Sequence, residues 1–467
     1  MNLTSFSFIS FLLVAVIIYY LLPFSYWKRI ILLSAGLVFY TSFCPLDLVY
    51  LFAVTFYSYT MCFLLEEKKS SFLLAASIIP MILGLCFYKY AGLFQVFEHM
   101  SLAAPLGISF FTFKVISYLV DVYQGRCEIE RSFLSYFLYV SFFPQISSGP
   151  IQRPDSFFKQ LNTNKKMNHQ MMRHGFHLVL FGFFEKVVIA DRLYLVVDHC
   201  FSDMSLWNPS IVMIGCIAYS FQIYADFDAY SNLAIGIGEL FGISCERNFH
   251  APYMARNIKE FWSRWHISLS SWLKDYIYLP LGGSKKGFSR KILNILAVFL
   301  VSGLWHGSTW NFLLWGLLNG LFRILYDVFE RFIFSKIRIT FKPFKWMISL
   351  LGIALNFVLV TCLWIFFRCN SLIEIQMIYS YLQQIDFSAF QFAVPELENS
   401  ELMITALMTL LLVICDVLRN IGFTMHHFGK LFFPIRWLTY AAILVLGIIF
   451  AVYGSGYDPS KFIYIQF

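Results

Sequence analysis

Two histidines, forty residues apart, could move protons within a very apolar chain. His306 lies in the string SGLWHG, inside a nearly uncharged run from Ile292 to Tyr326. His266 lies upstream in a basic, tryptophan-rich stretch. Ionisable side chains at membrane depth are costly and usually face a bundle interior or a wet cavity, and histidine is best suited to proton transfer near neutral pH. The pair therefore predicts proton-transfer chemistry inside a membrane.

His306 also admits a purely structural interpretation. Gly303 and Gly307 flank it and would let backbone approach a substrate closely, and Trp305 and Trp310 could wall a pocket. A buried imidazole resists protonation, so it would remain available as a general base. However, a histidine that is hydrogen-bonded between membrane helices is equally common, and a lone histidine such as His266 is more often structural than catalytic. The residues alone leave both interpretations open.

The segment from Arg256 to Trp272 has the composition of an interfacial amphipathic helix. On a helix, Trp262 and Trp265 would belong to an apolar, aromatic side, and Lys259 and Arg264 would offer polar tips. Tryptophan rings favour the membrane–water interface. We therefore expect this segment to lie along that interface.

Basic residues are concentrated around this segment. Between Arg247 and Lys291, nine lysines and arginines stand against two carboxylates, which gives a net charge of +7. A positive-inside cytosolic loop explains this excess, and attraction of anionic lipid or of a phosphate-bearing donor would explain it too. The two explanations are compatible.

Asp226 and Asp228 are carboxylates within a membrane-grade segment, and such acids need a partner or a function. They could orient an imidazole, bind a cation or pair with an arginine, and pairing is the default expectation.

The composition determines which elements must position these side chains. The chain has 467 residues, of which 59% are hydrophobic and 13% charged, whereas a soluble domain averages about 45–50% and 25%. Long apolar runs without alternation favour helices, and each crossing needs roughly 20 apolar residues. We expect an all-α polytopic membrane protein with about 10–12 transmembrane helices. The block 292–331 is long enough for two passes, with a bend around Ser302 and Gly303.

Proline and glycine interrupt two further apolar strings, at 105–111 and 142–150. Irregular backbone survives at membrane depth only where protein or water satisfies it. These strings predict cavity walls in place of lipid-facing helices, although for either one alone an ordinary interfacial turn is nearly as consistent.

Several absences narrow the chemistry. The sequence has no GxSxG elbow, no HExxH motif, no P-loop and no dinucleotide-binding fingerprint. Its ten cysteines form no CxxC pair, and its histidines lack the further ligands of a metal site. We expect no metal, no bound cofactor and no nucleic-acid partner.

The string EFWSRWHISLS, at 260–270, resembles the signature of membrane-bound O-acyltransferases, as does WLKDYIYLPLGG at 272–283. Within that family the chain looks most like the bacterial alginate O-acetyltransferase branch. Several other strings resemble that branch and occur in the same order. They are residues 105–113, 143–151, 302–307, 364–368 and 462–467.

The resemblance implies a fold and an active site. It implies helices, including re-entrant and interfacial ones, around a central funnel that joins a cytosolic acyl donor to an acceptor on the outer face. His306 matches the catalytic histidine of the family and His266 a second histidine of the tunnel. One string departs from the branch, because YADFDAYSN at 224–232 replaces an expected YFDFSGYSD. Asp226 is kept in this string, whereas the residues around it differ.

These observations together predict an O-acyltransferase. It would move an acetyl group from a cytosolic thioester, acetyl-CoA as co-substrate, to a hydroxyl of an extracytoplasmic polysaccharide or of a partner acetyltransferase. His306 would be the general base, and His266 would position the donor or polarise its carbonyl. The residues expected to bind donor or substrate are Trp262, Arg264, Trp265, Lys259, Asp226, Trp305 and Asn311.

We expect one integral-membrane domain over 1–467, with N-terminal helices at 1–100, a catalytic core at about 101–330 and C-terminal helices at about 340–467. The protein would cross the inner membrane of a bacterium several times. Three alternatives remain, namely D-alanyl transfer to teichoic acid, a polysaccharide or lipid transporter without chemistry, and a scaffold that only recruits an extracellular transferase.

Overall fold

The computed structural model describes residues 3–90, 104–163, 167–333, 336 and 341–452. Every regular element within these ranges is helical, which confirms the predicted all-α architecture. The predicted domain boundary near residue 100 and the string at 462–467 lie outside the described residues. The described α-helices are α1 (Phe6–Leu21), α2 (Ser25–Thr41), α3 (Asp47–Glu67), α4 (Ser71–Tyr90), α5 (Ile108–Tyr123), α6 (Phe133–Ser141), α7 (Pro154–Asn162), α8 (His169–Phe184), α9 (Asp191–Phe201), α10 (Pro209–Leu240), α11 (Ile258–Arg264), α12 (Ile267–Leu273), α13 (Phe288–His306), α14 (Trp310–Phe332), α15 (Lys342–Arg368), α16 (Leu372–Gln383), α17 (Asn399–Asn420), α18 (Met425–Phe428) and α19 (Phe433–Phe450).

Eight of the described helices are long and apolar enough to cross a bilayer, judged by length and composition. They are α3, α4, α10, α13, α14, α15, α17 and α19. Helix α1 is apolar but shorter, at 16 residues. The protein is therefore an integral, multi-pass membrane protein. Helix α10 differs from the others because 83% of its most apolar window is buried inside the protein.

The described residues form two compact units. The first contains the described residues up to Phe183 together with Tyr230–Arg247, and the second contains Phe184–Ala229 and the described residues from Asn248 to 452. Helix α10 contributes to both. Both histidines and all other predicted site residues belong to the second unit.

In the first unit, the two interrupted apolar strings are buried against each other. Gly107 has a φ of 71°, and a side chain there would overlap the carbonyl oxygen of Ile146. The Tyr40 hydroxyl donates to the Leu106 carbonyl at 3.2 Å, and the short 3-10 turn Phe143–Gln145 is buried. Protein groups therefore enclose this irregular backbone, while the predicted role of the strings as cavity walls stays a prediction.

In the second unit, α13 and α14 form a closely packed hairpin. A Cβ on Gly316 would lie 3.2 Å from the Cα of Gly303, so the two backbones touch there. The predicted bend at Ser302 and Gly303 is wrong, because α13 continues through both residues to His306. The chain turns only at Gly307, which has extended backbone. Gly303 serves close helix packing instead of a bend.

Two π-helical turns interrupt helical runs in the same unit. Glu185–Ala190 lies between α8 and α9, and Lys274–Tyr278 follows α12. Such bulges re-aim side chains and frequently mark functional sites.

Candidate active site

His266 lies at a break in the interfacial segment. The segment 256–272 was predicted as one helix, but the structure divides it into α11 and α12. His266 stands between them with a φ of 42° and a ψ of 56°, a left-handed conformation that is uncommon for a residue with a side chain. The prediction of a continuous helix is therefore wrong here. The break orients the His266 side chain differently from its orientation in a continuous helix.

Neighbouring backbone holds this strained residue in place. The backbone N–H of Ile267 donates to the backbone carbonyl of Asn248 at 2.9 Å. The Ser268 hydroxyl donates to the side-chain oxygen of Asn248 at 2.6 Å. The His250 backbone N–H donates to the Arg264 carbonyl at 3.0 Å. Strained conformations persist where the surrounding structure fixes them, and they cluster at functional sites.

The imidazole of His266 is buried among aromatic rings, with the residue 1% exposed. Its centroid lies 4.7 Å from that of Phe227, at 89°, and 6.2 Å from that of Trp305. Burial lowers the pKa of His266 to about 3, because the apolar surroundings disfavour the charged ring. The ring is therefore neutral at physiological pH.

His306 is the last residue of α13 and is 3% exposed. Three aromatic rings surround it, with centroid distances of 4.8 Å to Trp305, 5.1 Å to Trp315 and 5.1 Å to Phe367. These rings come from α13, α14 and α15. A largely water-excluded imidazole at a helix end can accept a proton from a hydroxyl delivered to it.

Trp305 joins the two histidines. Its indole lies 4.8 Å from the ring of His306 and 6.2 Å from the ring of His266. The structure thus brings together three of the predicted site residues, in one aromatic cluster.

Asn311 acts on this cluster through the backbone. Its side-chain amide donates to the Cys369 carbonyl at 2.6 Å, which ties the start of α14 to the end of α15. Phe367 lies two residues before Cys369 and packs on His306. Asn311 therefore helps to position the aromatic wall around His306.

Trp262 and Trp265 have different surroundings. The Trp262 indole N–H donates to the Asn319 side chain at 3.2 Å, and its ring lies 5.7 Å from that of Trp315. Trp265 is buried with its ring 4.8 Å from that of Trp364. Trp262 lines the cleft described next, whereas Trp265 packs in the aromatic core.

A cleft of about 560 Å³ opens between α11, α12, the π-turn after α12, α13 and α14. Its walls are mainly apolar, and four cationic side chains line it, those of Lys259, Lys274, Lys291 and Arg323.

Two carboxylates partly neutralise these cations. Lys291 pairs with Asp327 at 2.6 Å and Arg323 pairs with the same carboxylate, while Lys259 pairs with Glu330 at 2.7 Å. Four positive charges against two negative ones leave about +2. The cleft can therefore attract an anionic ligand with an apolar portion.

Arg264 is engaged by protein groups. Its guanidinium donates to Glu260 at 2.6 Å and to the Asn420 side chain at 2.7 Å. Its predicted contact with donor phosphates stays a prediction.

Asp226 lies in a buried ion pair. Lys186, on the π-turn after α8, contacts Asp226 at 2.6 Å and Asp191 at 2.9 Å. Asp228 pairs with Arg419 at 2.6 Å. Pairing was the default expectation for these acids, and it is what the structure shows, although the partner of Asp226 is a lysine.

Sequence reasoning missed several residues that contact the histidines or line the cleft. They are Phe227, Ser302, Trp315, Phe367, Lys274, Lys291 and Arg323. Phe367 lies in the string 364–368, which had been noted without a role. The basic excess between Arg247 and Lys291 contained two of the missed cations, but charge alone does not say which side chains converge.

Known proteins resemble this chain over most of its length. The profile of the membrane-bound O-acyltransferase family matches residues 130–372. A probable alginate O-acetylase of Pseudomonas putida is 32% identical over 94% of this chain and 95% of its own length. A peptidoglycan O-acetyltransferase of Helicobacter pylori is 34% identical over 64% of this chain and 62% of its own. A teichoic acid D-alanyltransferase of Bacillus subtilis is 28% identical over 61% of this chain and 73% of its own.

Proposed function

The chain belongs to the membrane-bound O-acyltransferase family, and we propose that it transfers an acetyl group from acetyl-CoA to a hydroxyl of an extracytoplasmic polysaccharide. The transfer is either direct or relayed through a partner acetyltransferase. Relatives named for alginate and peptidoglycan O-acetylation support this acceptor class. The observation that carries the proposal is the buried imidazole of His306, which lies four residues along α13 from Ser302, a lining residue of the basic cleft in the same unit.

His306 is the general base of this reaction. As the acceptor oxygen attacks the thioester carbonyl carbon, the imidazole takes the hydroxyl proton and then gives it to the departing sulfur. The new C–O bond replaces the C–S bond, so the products are an ester and a thiol. A positioned base contributes about 10²–10⁴-fold to such a step. His266, which is neutral at physiological pH, contacts its neighbour Trp305, and in this proposal it positions the donor or polarises its carbonyl.

The donor occupies the basic cleft. CoA carries several phosphates, which complement the net positive lining, and its pantetheine arm is long enough to lie along the apolar walls towards His306. Trp262, a lining residue, contacts Trp315, which in turn packs on His306. The positive-inside rule assigns this lysine-rich region to the cytosolic face.

The relatives named above are all bacterial. We therefore assign the protein to the bacterial inner membrane, where a cytosolic thioester and an external glycan can meet across one sealed bilayer. The two compact units act as one catalytic domain in this proposal.

D-alanyl transfer is a second candidate, since the Bacillus subtilis relative is a teichoic acid D-alanyltransferase. The two candidates differ in the donor consumed. Purified protein that releases thiol from a D-alanyl carrier-protein thioester and leaves acetyl-CoA intact would favour this second activity.

The test is His306→Ala. Acetyl transfer from acetyl-CoA to an alginate oligosaccharide should fall by at least about 10²-fold, while membrane insertion and melting temperature stay near those of the parent protein. His199→Ala is the matched control, because this histidine lies at the end of α9 and bonds to its own helix at Leu195. Normal acetylation by the His306→Ala protein would make His306 structural.

A further inference from the structure

One hydroxyl in the basic cleft is placed for a ligand. Ser302 lies on α13 and lines the cleft, although the residue as a whole is only 3% exposed. Within the described part of the chain, its hydroxyl has no hydrogen-bond partner. Because Ser302 lines the cleft, its hydroxyl can be reached from the cleft and can bond to whatever occupies it.

The other serines of the cleft do not share this property. Each of their hydroxyls is satisfied within the protein. Ser263 donates to the Glu260 carbonyl at 2.6 Å, Ser270 to the Trp265 carbonyl at 3.4 Å, Ser271 to the Ser268 carbonyl at 2.9 Å, and Ser284 bonds with the Tyr278 hydroxyl at 2.7 Å. Ser302 alone among these five keeps its hydrogen-bonding capacity for what enters the cleft.

Ser302 is also close to the base along the same helix. It precedes His306 by four residues on α13, so the two side chains project from the same face, separated by about 6 Å along the axis. Ser302 lines the cleft, and His306 lies about one helical turn further along the same helix, so Ser302 is the cleft residue on α13 that stands next to the base. The thioester is the reactive end of the donor, and it is the part that has to come close to His306.

We propose that the Ser302 hydroxyl donates a hydrogen bond to the carbonyl oxygen of the donor thioester and stabilises the negative charge that develops there during transfer. This inference rests on the proposed acyl transfer and adds a second residue to its machinery. Preorganised donors aimed at a developing oxyanion are among the largest contributions to acyl transfer, because the surrounding site is dry and the donor need not reorient.

The proton and electron balance of the transfer is unchanged. The acceptor oxygen attacks the carbonyl carbon, the carbonyl electrons move onto its oxygen, and they return as the C–S bond breaks. Ser302 keeps its proton throughout, whereas His306 carries the acceptor proton to the sulfur. Ser302 therefore forms no covalent intermediate.

The kinetic test compares Ser302→Ala with Ser302→Thr, using acetyl-CoA and an alginate oligosaccharide. Loss of one oxyanion donor should lower kcat about 10²-fold, with the KM for acetyl-CoA changed by less than roughly threefold. Threonine keeps the hydroxyl and should restore kcat to within about tenfold of the parent. Ser77→Ala is the control, since this buried helical serine lies outside the cleft and bonds to the Leu73 carbonyl at 2.7 Å.

A spectroscopic test avoids dependence on turnover. In the inactive His306→Ala background, infrared spectra of bound acetyl-CoA with a ¹³C-labelled carbonyl should show the C=O stretch at lower frequency with Ser302 than with Ser302→Ala. Alanine removes only an unbonded hydroxyl, so the variant should fold normally.

Two results would overturn the inference: a parental kcat in Ser302→Ala, or identical carbonyl frequencies in the two proteins. Failure of the proposed function looks different, because an active His306→Ala protein refutes the general base whatever Ser302 does.

Discussion

Replacing Gly316 with alanine should separate α13 from α14 and displace His306. A Cβ on Gly316 would lie less than 3.0 Å from the Phe299 carbonyl oxygen, and it would lie 3.2 Å from the Cα of Gly303. Both are backbone atoms, so no side-chain rotation can relieve the clash. Because Trp315 precedes Gly316 and packs on His306 at 5.1 Å, the displacement reaches the His306 ring directly.

The size of the effect follows from these distances. Ordinary Cβ contacts begin near 3.4 Å, so the helices must move apart by at least 0.4 Å, the difference between 3.4 and 3.0 Å. Overpacking of this kind costs about 1–3 kcal/mol, whereas alanine gains about 1 kcal/mol in helix propensity over glycine. A misplacement of about 1 Å near reacting groups can cost 10²-fold in rate. We therefore expect at least a tenfold loss of acetyl transfer.

Gly320→Ala is the matched control. It lies one turn further along α14, and its Cβ would meet only side-chain atoms, of Phe299 at 3.2 Å and Leu296 at 3.4 Å. Both variants gain the same helix propensity, so the difference between them isolates the backbone clash. Thermal unfolding and acetyl transfer in detergent should show Gly316→Ala less stable by about 1–3 kcal/mol and at least tenfold less active. Equal stability and activity in the two variants would refute the close packing as the determinant of His306 geometry.

Two further predictions concern buried charge. The pKa of His266 is about 3 in the folded protein, and the ordinary value of 6.5 applies to the unfolded chain. As the pH falls below 6.5, the unfolded chain takes up this proton while the folded protein does not, so the folded state should lose stability. Between pH 7 and pH 5 the free energy of unfolding should fall by about 2 kcal/mol. His266→Gln should lose that part of the pH dependence of the melting temperature, and an unchanged dependence would contradict the burial argument. Lys186→Met leaves the carboxylates of Asp226 and Asp191 without their shared cation and should destabilise the protein by about 3–5 kcal/mol. The double variant Lys186→Met/Asp226→Asn should be more stable in thermal unfolding than Lys186→Met alone, because it removes one of the unpaired carboxylates. If the double variant is no more stable than the single one, the ion pair does not contribute as described.

Much of the site was predictable from the sequence because the signals were local. Composition predicted an all-α membrane protein, since only long apolar helices satisfy backbone polar groups in a bilayer. The strings around His266 and His306 predicted the acyltransferase family, which the matching profile confirms. The intramembrane carboxylates of Asp226 and Asp228 predicted buried pairing, because an unpaired charge is too costly there.

Other features could not be predicted because they depend on contacts between residues far apart in the chain. Phe367 reaches His306 and Phe227 reaches His266 only after the helices have packed. The left-handed backbone of His266 needs hydrogen bonds from a neighbouring segment, so helical periodicity extended a helix through it.

The sequence by itself determined the class of protein, its membrane setting and the two histidines, because composition and short strings carry that information. Tertiary structure alone decided which cations line the cleft, which carboxylates they pair with, and that the Ser302 hydroxyl faces the cleft without a partner in the described residues. Helical periodicity shows which face of a helix a side chain occupies. Which residues of other helices that face contacts is decided only by close packing in three dimensions.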